Sequence, residues 1–245
     1  MNIYLDNNII VDIESRGLSM DSLFNQNVNY HFSAAHISEM IEGEIKGVNV
    51  SLRLKTINRI ASSNYIDGID KPKFCRNDSH SIYVERKRNM VLNIIKMIIN
   101  NSVSSFNVDR DRFVGLLDWR KEEVNNIAPK DIMGRLNNAM KEKLYMDIPF
   151  YLISTEAKGI TLYHTLFNLL DFACYYKDKK GDHINIARMY DAFHAYYASI
   201  CDIFVSRDKR MRYKTMAVYH YLGIKTNVMD LKEYIDYLQD KEYVL

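Results

Sequence analysis

The chain contains few of the residues that bend or tether a backbone. Among its 245 residues there are 3 prolines, 9 glycines and 3 cysteines. Because proline and glycine mark most turns and hinges, their scarcity predicts few long irregular linkers. The cysteines are odd in number, widely spaced and form no Cys-x-x-Cys pair, which indicates reduced thiols and not a disulfide framework. They are Cys75, Cys174 and Cys201.

Strong charge and long apolar runs are also absent. The formal net charge is +2, so no global field draws the chain toward nucleic acid, and any such binding depends on local basic patches. The apolar stretch at 91–99 is interrupted by Asn93 and Lys96 and is far shorter than a bilayer span. The first ten residues, MNIYLDNNII, lack the basic segment of a secretory signal. The sequence therefore predicts a cytoplasmic protein without membrane association.

Short apolar strands and amphipathic helices alternate at both ends of the chain. Near the N-terminus, strands are predicted at 2–5 and 28–32, a helix begins near Ile9, and Ser33 caps another helix. The C-terminal part reads as helix 186–199, strand 202–206, helix 209–222, strand 224–228 and helix 230–239. Such strand–helix–strand units predict an α/β fold with a central parallel sheet flanked by helices.

The stretch from about 51 to 185 follows a different pattern. Apolar residues recur at helical spacing near 91–98, 114–117 and 162–170, and no strand alternation is strong enough to assign. All three prolines lie in it, each at an expected element boundary: Pro72, Pro129 and Pro149. We interpret 51–185 as a helical insertion in a single domain spanning 1–245, which is built from about 1–50 and 186–245.

Four acidic residues lie where a parallel sheet offers a ligand crevice. Asp6 and Asp208 each follow a predicted strand, at the carboxyl end where such crevices open. Glu39 lies on the helix after the second strand, and Asp191 lies near the start of the helix before the third. Clustered carboxylates repel one another unless a cation neutralises them, and Mg²⁺ or Mn²⁺ prefers oxygen ligands. An ion held there would activate water for phosphodiester hydrolysis.

Four short segments around these acids carry a family resemblance. They are, in order, IYLDNN at 3–8, SAAHISE at 33–39, DAFHAYYA at 191–198 and FVSRD at 204–208. Each places its acid on the expected element, and together they resemble the PIN-domain nucleases, a family seen in bacterial toxins and RNA-processing enzymes. The resemblance covers roughly residues 1–50 and 186–230. The chain departs from the family pattern at Asn7, where a small hydroxyl residue is usual, and in its long insertion.

The resemblance implies a fold, an activity and a set of site residues. The fold would be a PIN-like three-layer α/β fold, and the activity that of a metal-dependent endoribonuclease, acting as a toxin or in defence or RNA processing. The residues that would bind Mg²⁺ or Mn²⁺ and act in catalysis are Asp6, Glu39, Asp191 and Asp208. The residues that would orient these metal-binding residues without binding the metal themselves are Asn8, Ser206, His194 and Asp202.

Several acids have competing interpretations. Asp208 also suits the N-cap of the helix that follows it. Glu42 competes with Glu39, because both lie on the same predicted helix. Three residues are candidates for the third acid: Asp182, Asp191 and Asp202. We favour Asp191 because it lies at the start of the predicted helix. His194, one turn after Asp191, either orients a carboxylate, contacts phosphate or is a core histidine.

Basic and aromatic residues suggest how nucleic acid would bind. Four basic residues follow Asp208 closely: Lys209, Arg210, Arg212 and Lys214. They would hold the phosphate backbone of a nucleic acid beside the metal. The competing interpretation is a solvated helix face, which is what charge runs often are. A second basic run lies at 86–88. Tyrosine pairs at 175–176 and 196–197 either stack on bases or pack in the core.

Two alternatives to an RNA-cleaving enzyme remain open at this stage. One is a non-catalytic PIN-like scaffold that binds RNA or protein, and the other is a nuclease that acts on DNA. A further possibility concerns regulation: a toxin whose antitoxin partner inserts a basic side chain into the acidic cleft. A homodimer is also open.

Overall fold

The central feature is a six-stranded, mostly parallel sheet. We describe a computed structural model for residues 1–15, 28–45, 47, 49–87, 110–177 and 184–242. The strands are β1 (Asn2–Leu5), β2 (Asn29–Ser33), β3 (Asn64–Asp67), β4 (Lys73–Arg76), β5 (Ile203–Val205) and β6 (Asn227–Met229). Their spatial order is β4-β3-β2-β1-β5-β6, and every neighbouring pair is parallel apart from the antiparallel hairpin of β3 and β4.

Strand order reverses at the centre of this sheet. From β1 the chain moves outward through β2 to β3, and it later returns to β5 on the other side of β1 before moving out to β6. In open α/β sheets, ligands bind at the carboxyl ends of the strands on either side of such a reversal, because the connecting loops part there. A ligand site is therefore expected at the carboxyl ends of β1 and β5.

Helices occupy most of the remaining described chain. In the first part they are α1 (Asn7–Ser15), α2 (Ala34–Ile45), α3 (Val50–Ala61) and α4, a helical segment at residues 79–87. The middle holds α5 (Arg110–Leu116), α6 (Lys121–Val124), α7 (Pro129–Leu144), α8 (Ile148–Ser154) and α9 (Gly159–Phe172). The last are α10 (Ile184–Ala198), α11 (Lys209–Leu222) and α12 (Leu231–Glu242).

Packing joins the two ends of the chain to the middle. Helix α1 packs on α3, α2 contacts both α3 and α10, and α9 lies against α10 and α11. Buried residues from all of these parts belong to a single hydrophobic core. The predicted α/β class with a mostly parallel sheet is therefore confirmed. No helix in the described ranges has the length and apolar character to cross a bilayer.

Most predicted elements occur, with ends that move by a few residues. Helix α11 has the predicted bounds and ends at Gly223, whose φ of 70° lies in the left-handed region that favours glycine. Ser33 accepts a hydrogen bond from the backbone of Ala35, as expected for a residue that begins a helix. The last strand begins at Asn227, three residues later than the predicted start at Ile224.

Residues 51–185, interpreted as a helical insertion in which no strand could be assigned, contain two strands. Strands β3 and β4 lie in this stretch and extend the sheet beyond β2. Both have only four residues, and β4 is largely exposed, so neither carries the alternation of a half-buried strand. The predicted helical pattern at 91–98 lies outside the described residues, as do Asp182 and Arg88.

Candidate functional site

The site lies at the carboxyl ends of β1 and β5. Beyond the two strands the ladder continues for one more step, because the backbone N–H of Asp6 donates to Val205 O at 2.9 Å. On the other side, the N–H of Ser206 donates to Met229 O at 3.1 Å. These bonds fix the first residue after each strand, so Asp6 and Ser206 lie side by side.

The carboxylate of Asp6 is buried and held by neighbouring donors. Asp6 is only 5% exposed to solvent. Oδ1 accepts from the Asn7 backbone N–H at 2.8 Å, and Oδ2 accepts from the Ser206 hydroxyl at 2.7 Å and from the Asn8 amide. Burial raises the pKa of Asp6, and the Glu39 carboxylate raises it further, while His194 and the hydroxyl of Ser206 lower it. The predicted supporting residues Asn8 and Ser206 thus lie against Asp6.

His194 lies between the carboxylates of Asp6 and Glu39. Its Nε2 is 3.3 Å from Glu39 Oε2 and 3.9 Å from Asp6 Oδ1. Neither His194 Nε2 nor Glu39 Oε2 has a hydrogen-bond partner among the described residues, although both atoms are buried. Burial disfavours the imidazolium, but the carboxylates of Glu39 and Asp6 outweigh burial and raise the pKa of His194. The electrostatics of the site therefore favour a cation at this point.

A buried network of hydroxyl and imidazole groups contacts His194 on the side of its Nδ1 atom. The Tyr4 hydroxyl is 2.7 Å from His194 Nδ1, 2.6 Å from Ser33 Oγ and 3.3 Å from His36 Nδ1. His36 Nε2 lies 2.8 Å from the carbonyl of Leu5, and since a carbonyl only accepts, this nitrogen carries the hydrogen. Burial lowers the pKa of His36 and keeps it neutral. Neither Tyr4 nor His36 was predicted as a site residue; a tyrosine in a buried strand, which needs a partner for its hydroxyl, was the available signal for Tyr4.

The structure separates Glu39 from its competitor Glu42. Glu39 contacts His194, whereas Glu42 interacts with Tyr190 one turn earlier on α10. Burial raises the pKa of the Tyr190 hydroxyl, and the Glu42 carboxylate raises it further. Glu39 is therefore the acid of α2 that belongs to the cluster around Asp6.

Asp191 lies near the cluster but not at the start of its helix. Helix α10 begins at Ile184, so Asp191 sits about two turns into it, and the reason given for choosing it over its competitors was wrong. It is close enough to His194, one turn further along, to raise the pKa of that histidine.

Asp208 caps a helix and connects to Asp6 through Ser206. Its Oδ1 accepts from the backbone N–H groups of Arg210 at 2.7 Å and Met211 at 3.3 Å, which is the N-cap arrangement of α11. Its own N–H donates to Ser206 Oγ at 3.1 Å, and that hydroxyl donates to Asp6. The capping role anticipated for Asp208 is thus present, two hydrogen bonds from Asp6.

Asp202 lies at the amino ends of the strands, opposite the site, which corrects its assignment as a supporting residue. It immediately precedes β5, and its Oδ2 accepts from the backbone N–H of Asn2 at 2.6 Å. Asp202 and Asn2 lie at the amino ends of β5 and β1, whereas Asp6 lies at the carboxyl end of β1. The length of the strands therefore separates Asp202 from Asp6.

The basic residues after Asp208 have different surroundings. Arg212 donates from Nη1 to the carbonyls of Ser206 (2.9 Å) and Arg207 (3.0 Å), so it holds the loop between β5 and α11 in place of the predicted phosphate contact. Arg210 is partly buried. Lys209 is exposed, and its Nζ lies over the rings of Tyr213 and Tyr176, at 5.5 and 5.9 Å from the ring centroids. Lys209 is the best placed of the three to meet a phosphate.

Lys214 and the described residues of the second basic run, Arg86 and Lys87, lie in ion pairs. Lys214 is fully buried, with Nζ 3.4 Å from Asp171 Oδ1. In the second run, Arg86 Nη2 is 3.2 Å from Asp67 Oδ1 and Lys87 Nζ is 2.7 Å from Glu44 Oε2.

Helix α1, which follows Asp6, is held by arginines from outside it. Arg53 of α3 donates from Nη1 to the side chain of Asn7 at 2.8 Å and from Nε to Glu14 at 2.6 Å. Arg207 pairs with Asp12 of the same helix. Asn7, where the chain departs from the PIN pattern, therefore links the loop of Asp6 to α3.

Taken together, the donors form a carboxylate cluster around a histidine and not a preformed metal cage. In the described ranges, no three His, Cys, Asp or Glu side chains are arranged to hold a metal ion as they stand. The donor types nevertheless suit a divalent cation, and two of the donor atoms, Glu39 Oε2 and His194 Nε2, are buried without partners. Comparison with known proteins finds no matching family model, curated protein or solved structure.

Proposed function

We propose that the chain is a PIN-like, metal-dependent endoribonuclease. The observation that carries the proposal is the buried Asp6 carboxylate, which lies at the strand-order reversal with Glu39 and His194 beside it. Burial of an acid next to another acid is costly, and sites of catalysis are where such costs are found. The order of the four sequence segments that resemble PIN nucleases adds to this support.

The described residues of the site fit a divalent cation in donor type, although they are not arranged as a finished metal cage. Asp6 and Glu39 would hold it, with Asp191 and Asp208 as further carboxylates from α10 and the start of α11. When bound, Mg²⁺ or Mn²⁺ supplies a water of lowered pKa and neutralises charge on the phosphodiester. Asn8 and Ser206 fix the orientation of Asp6 through its Oδ2.

An exposed cation close in sequence to the site suits an anionic substrate. The exposed Lys209 follows Asp208, so its ammonium can draw a phosphate toward the carboxylates while the cation offsets their repulsion. Its position over two tyrosine rings restricts its side chain and lowers the entropy lost on binding.

The proposal is tested by replacing Asp6 and following RNA cleavage in Mn²⁺. Asp6→Asn keeps the size of the side chain but removes its charge, and we expect cleavage to slow by at least about a hundredfold, the scale for one group that stabilises transition-state charge. Asp202→Asn, at the amino ends of the strands, is the matched control and is expected to cleave like the parent chain. Equal cleavage by all three proteins, purified alike, would reject the proposal.

A substrate panel separates the proposal from its alternatives. Single-stranded RNA, structured RNA and flapped DNA are incubated with the parent chain and Asp6→Asn. We expect Asp6-dependent cleavage of RNA. Cleavage of DNA alone would identify a DNA nuclease, and RNA binding without cleavage of any substrate would identify a scaffold. An antitoxin would be recognised as a copurifying partner that blocks cleavage.

A further inference from the structure

The least explained atom in the site is Nε2 of His194. The residue is 1% exposed, and its Nε2 has no hydrogen-bond partner among the described residues. Most buried polar atoms in proteins are paired, so an unpaired one that points at two carboxylates calls for a ligand between them. Oε2 of Glu39 lies 3.3 Å away, within ion-pair distance, and it too makes no hydrogen bond of regular geometry among the described residues.

We propose that His194 Nε2 is itself a metal ligand, together with Asp6 and Glu39, so that the site prefers a transition-metal ion such as Mn²⁺ over Mg²⁺. This inference rests on the proposed metal-dependent function, but it adds a nitrogen to a ligand set that was expected to be all oxygen. It therefore changes the class of ion that the site selects.

The two distances from His194 Nε2 to the carboxylates are compatible with one shared ion. An ion with bonds of about 2.1 Å has neighbouring donors about 3 Å apart and opposite donors about 4.2 Å apart. The distances from Nε2 to Glu39 Oε2 and to Asp6 Oδ1 are 3.3 and 3.9 Å, which lie within this range. The Glu39 side chain is 22% exposed, so it has room to move toward an ion.

The other ring nitrogen of His194 is held as in metal-binding histidines. Such histidines usually donate their second N–H to a fixed acceptor, which sets the ring orientation and leaves the first nitrogen to bind. Here Nδ1 lies 2.7 Å from the Tyr4 hydroxyl. Tyr4 can accept that hydrogen because its own proton has another acceptor in Ser33 Oγ, at 2.6 Å.

Ligand chemistry then sets the preference among ions. Imidazole nitrogen is a good ligand for zinc, iron, copper and nickel, and Mn²⁺ is the weakest binder of the transition-metal series, whereas Mg²⁺ favours oxygen donors and retained waters. A site with two carboxylates and one imidazole should therefore bind Mn²⁺ at least about tenfold more tightly than Mg²⁺.

The test is pulsed electron paramagnetic resonance of Mn²⁺ bound to the full chain, stripped beforehand with chelator. We expect modulation from a directly bound ¹⁴N nucleus, which changes to a ¹⁵N pattern when the protein is made with ¹⁵N-histidine. His194→Gln should abolish the nitrogen signal and weaken Mn²⁺ binding, measured by calorimetry, by at least about tenfold. His220→Gln, on the exposed end of α11, is the matched control and should keep both.

Each outcome bears on the inference separately from the nuclease proposal. Bound Mn²⁺ without nitrogen coupling would overturn the inference and show that His194 is only a counter-cation of the two acids, even if RNA is cleaved. Nitrogen coupling without RNA cleavage would support the inference and reject the nuclease. Absence of Mn²⁺ binding at millimolar concentration would overturn the inference. The spectrum of the parent chain decides the first point even if His194→Gln does not fold.

Discussion

Tyr4 brings a polar group into the centre of the sheet, on the strand that ends at Asp6. Its side chain is fully buried, so its hydroxyl depends on protein partners, which it finds in Ser33 and the two histidines. Burial raises the pKa of Tyr4 well above its ordinary value, so the group stays a neutral hydroxyl that can both donate and accept. Tyr4 is thus a positioning residue for His194.

Replacing Tyr4 by Phe should weaken both stability and metal binding. Loss of the hydroxyl leaves buried partners unsatisfied and should lower the free energy of unfolding by about 1–3 kcal/mol, measured with urea. Mn²⁺ affinity, measured by calorimetry, should fall about 10–100-fold, as for other groups that orient a ligand.

Tyr30→Phe is the control for this change. Tyr30 is equally buried on the neighbouring strand, but its hydroxyl bonds that of Tyr234 at 2.8 Å, away from the acids. It should lose comparable stability and keep the Mn²⁺ affinity of the parent chain. Equal metal affinity in both variants would mean that Tyr4 supports the fold alone.

Residues next to Asp6 in the chain or in the ladder were placed correctly by local pattern, whereas for residues brought in by packing the sequence predicted a role but not the contacts. Asn8 follows two positions after Asp6, and Ser206 ends the adjacent strand, so local pattern placed both correctly against it. The position of His194 between two acids depends on how α2 and α10 meet, which no local pattern specifies. The same holds for Arg212, whose partners are carbonyls that fold back from the preceding loop.

At the scale of the element, α11 begins on a residue with two potential roles. The Asp208 carboxylate satisfies two backbone N–H groups at the helix start, and its negative charge also suits the helix dipole there. A metal role for Asp208 requires the charge, while the cap requires only an oxygen acceptor.

Two substitutions at Asp208 separate these roles. Asp208→Asn keeps the cap, so its free energy of unfolding should stay close to that of the parent chain, whereas Asp208→Ala should lose about 1 kcal/mol. If Asp208 binds the metal, both variants should lose RNA cleavage to a similar degree. Cleavage that survives in Asp208→Asn and falls only with stability in Asp208→Ala would assign Asp208 to the cap alone.

The missed strands show the limit of periodicity for short elements. β3 pairs with β2 through only two registered residues, and β4 lies at the edge of the sheet, where one side has no neighbouring strand. Such strands are specified by the hairpin that joins them and by the sheet they extend. The longer α9 and α11 were predictable because each presents several turns of apolar residues to the core.

At the scale of the whole molecule, the described residues of the segment at 51–185 contribute to the sheet and to the core. The segment supplies β3 and β4 to the sheet, and its α9 packs on α10 and α11 next to the site. A buried ion-pair group ties these helices together: Asp171 of α9 lies 3.1 Å from Arg188 of α10 and 3.4 Å from Lys214 of α11. Since the apolar core is also shared, we expect the chain to unfold as one unit.

The single tryptophan makes this expectation measurable. Trp119 lies between α5 and α6, within 51–185, and packs against the shared core. Its fluorescence and the far-ultraviolet circular dichroism of the whole chain should therefore give the same midpoint in guanidinium chloride. Asp171→Asn should lower the free energy of unfolding by about 3–5 kcal/mol, because it removes the carboxylate that pairs with two buried cations. Both probes should shift together, since the pairs join α9 to the helices of the C-terminal part. A tryptophan transition that precedes the dichroism change, or that does not move in Asp171→Asn, would mean that 51–185 folds independently of the sheet that carries Asp6.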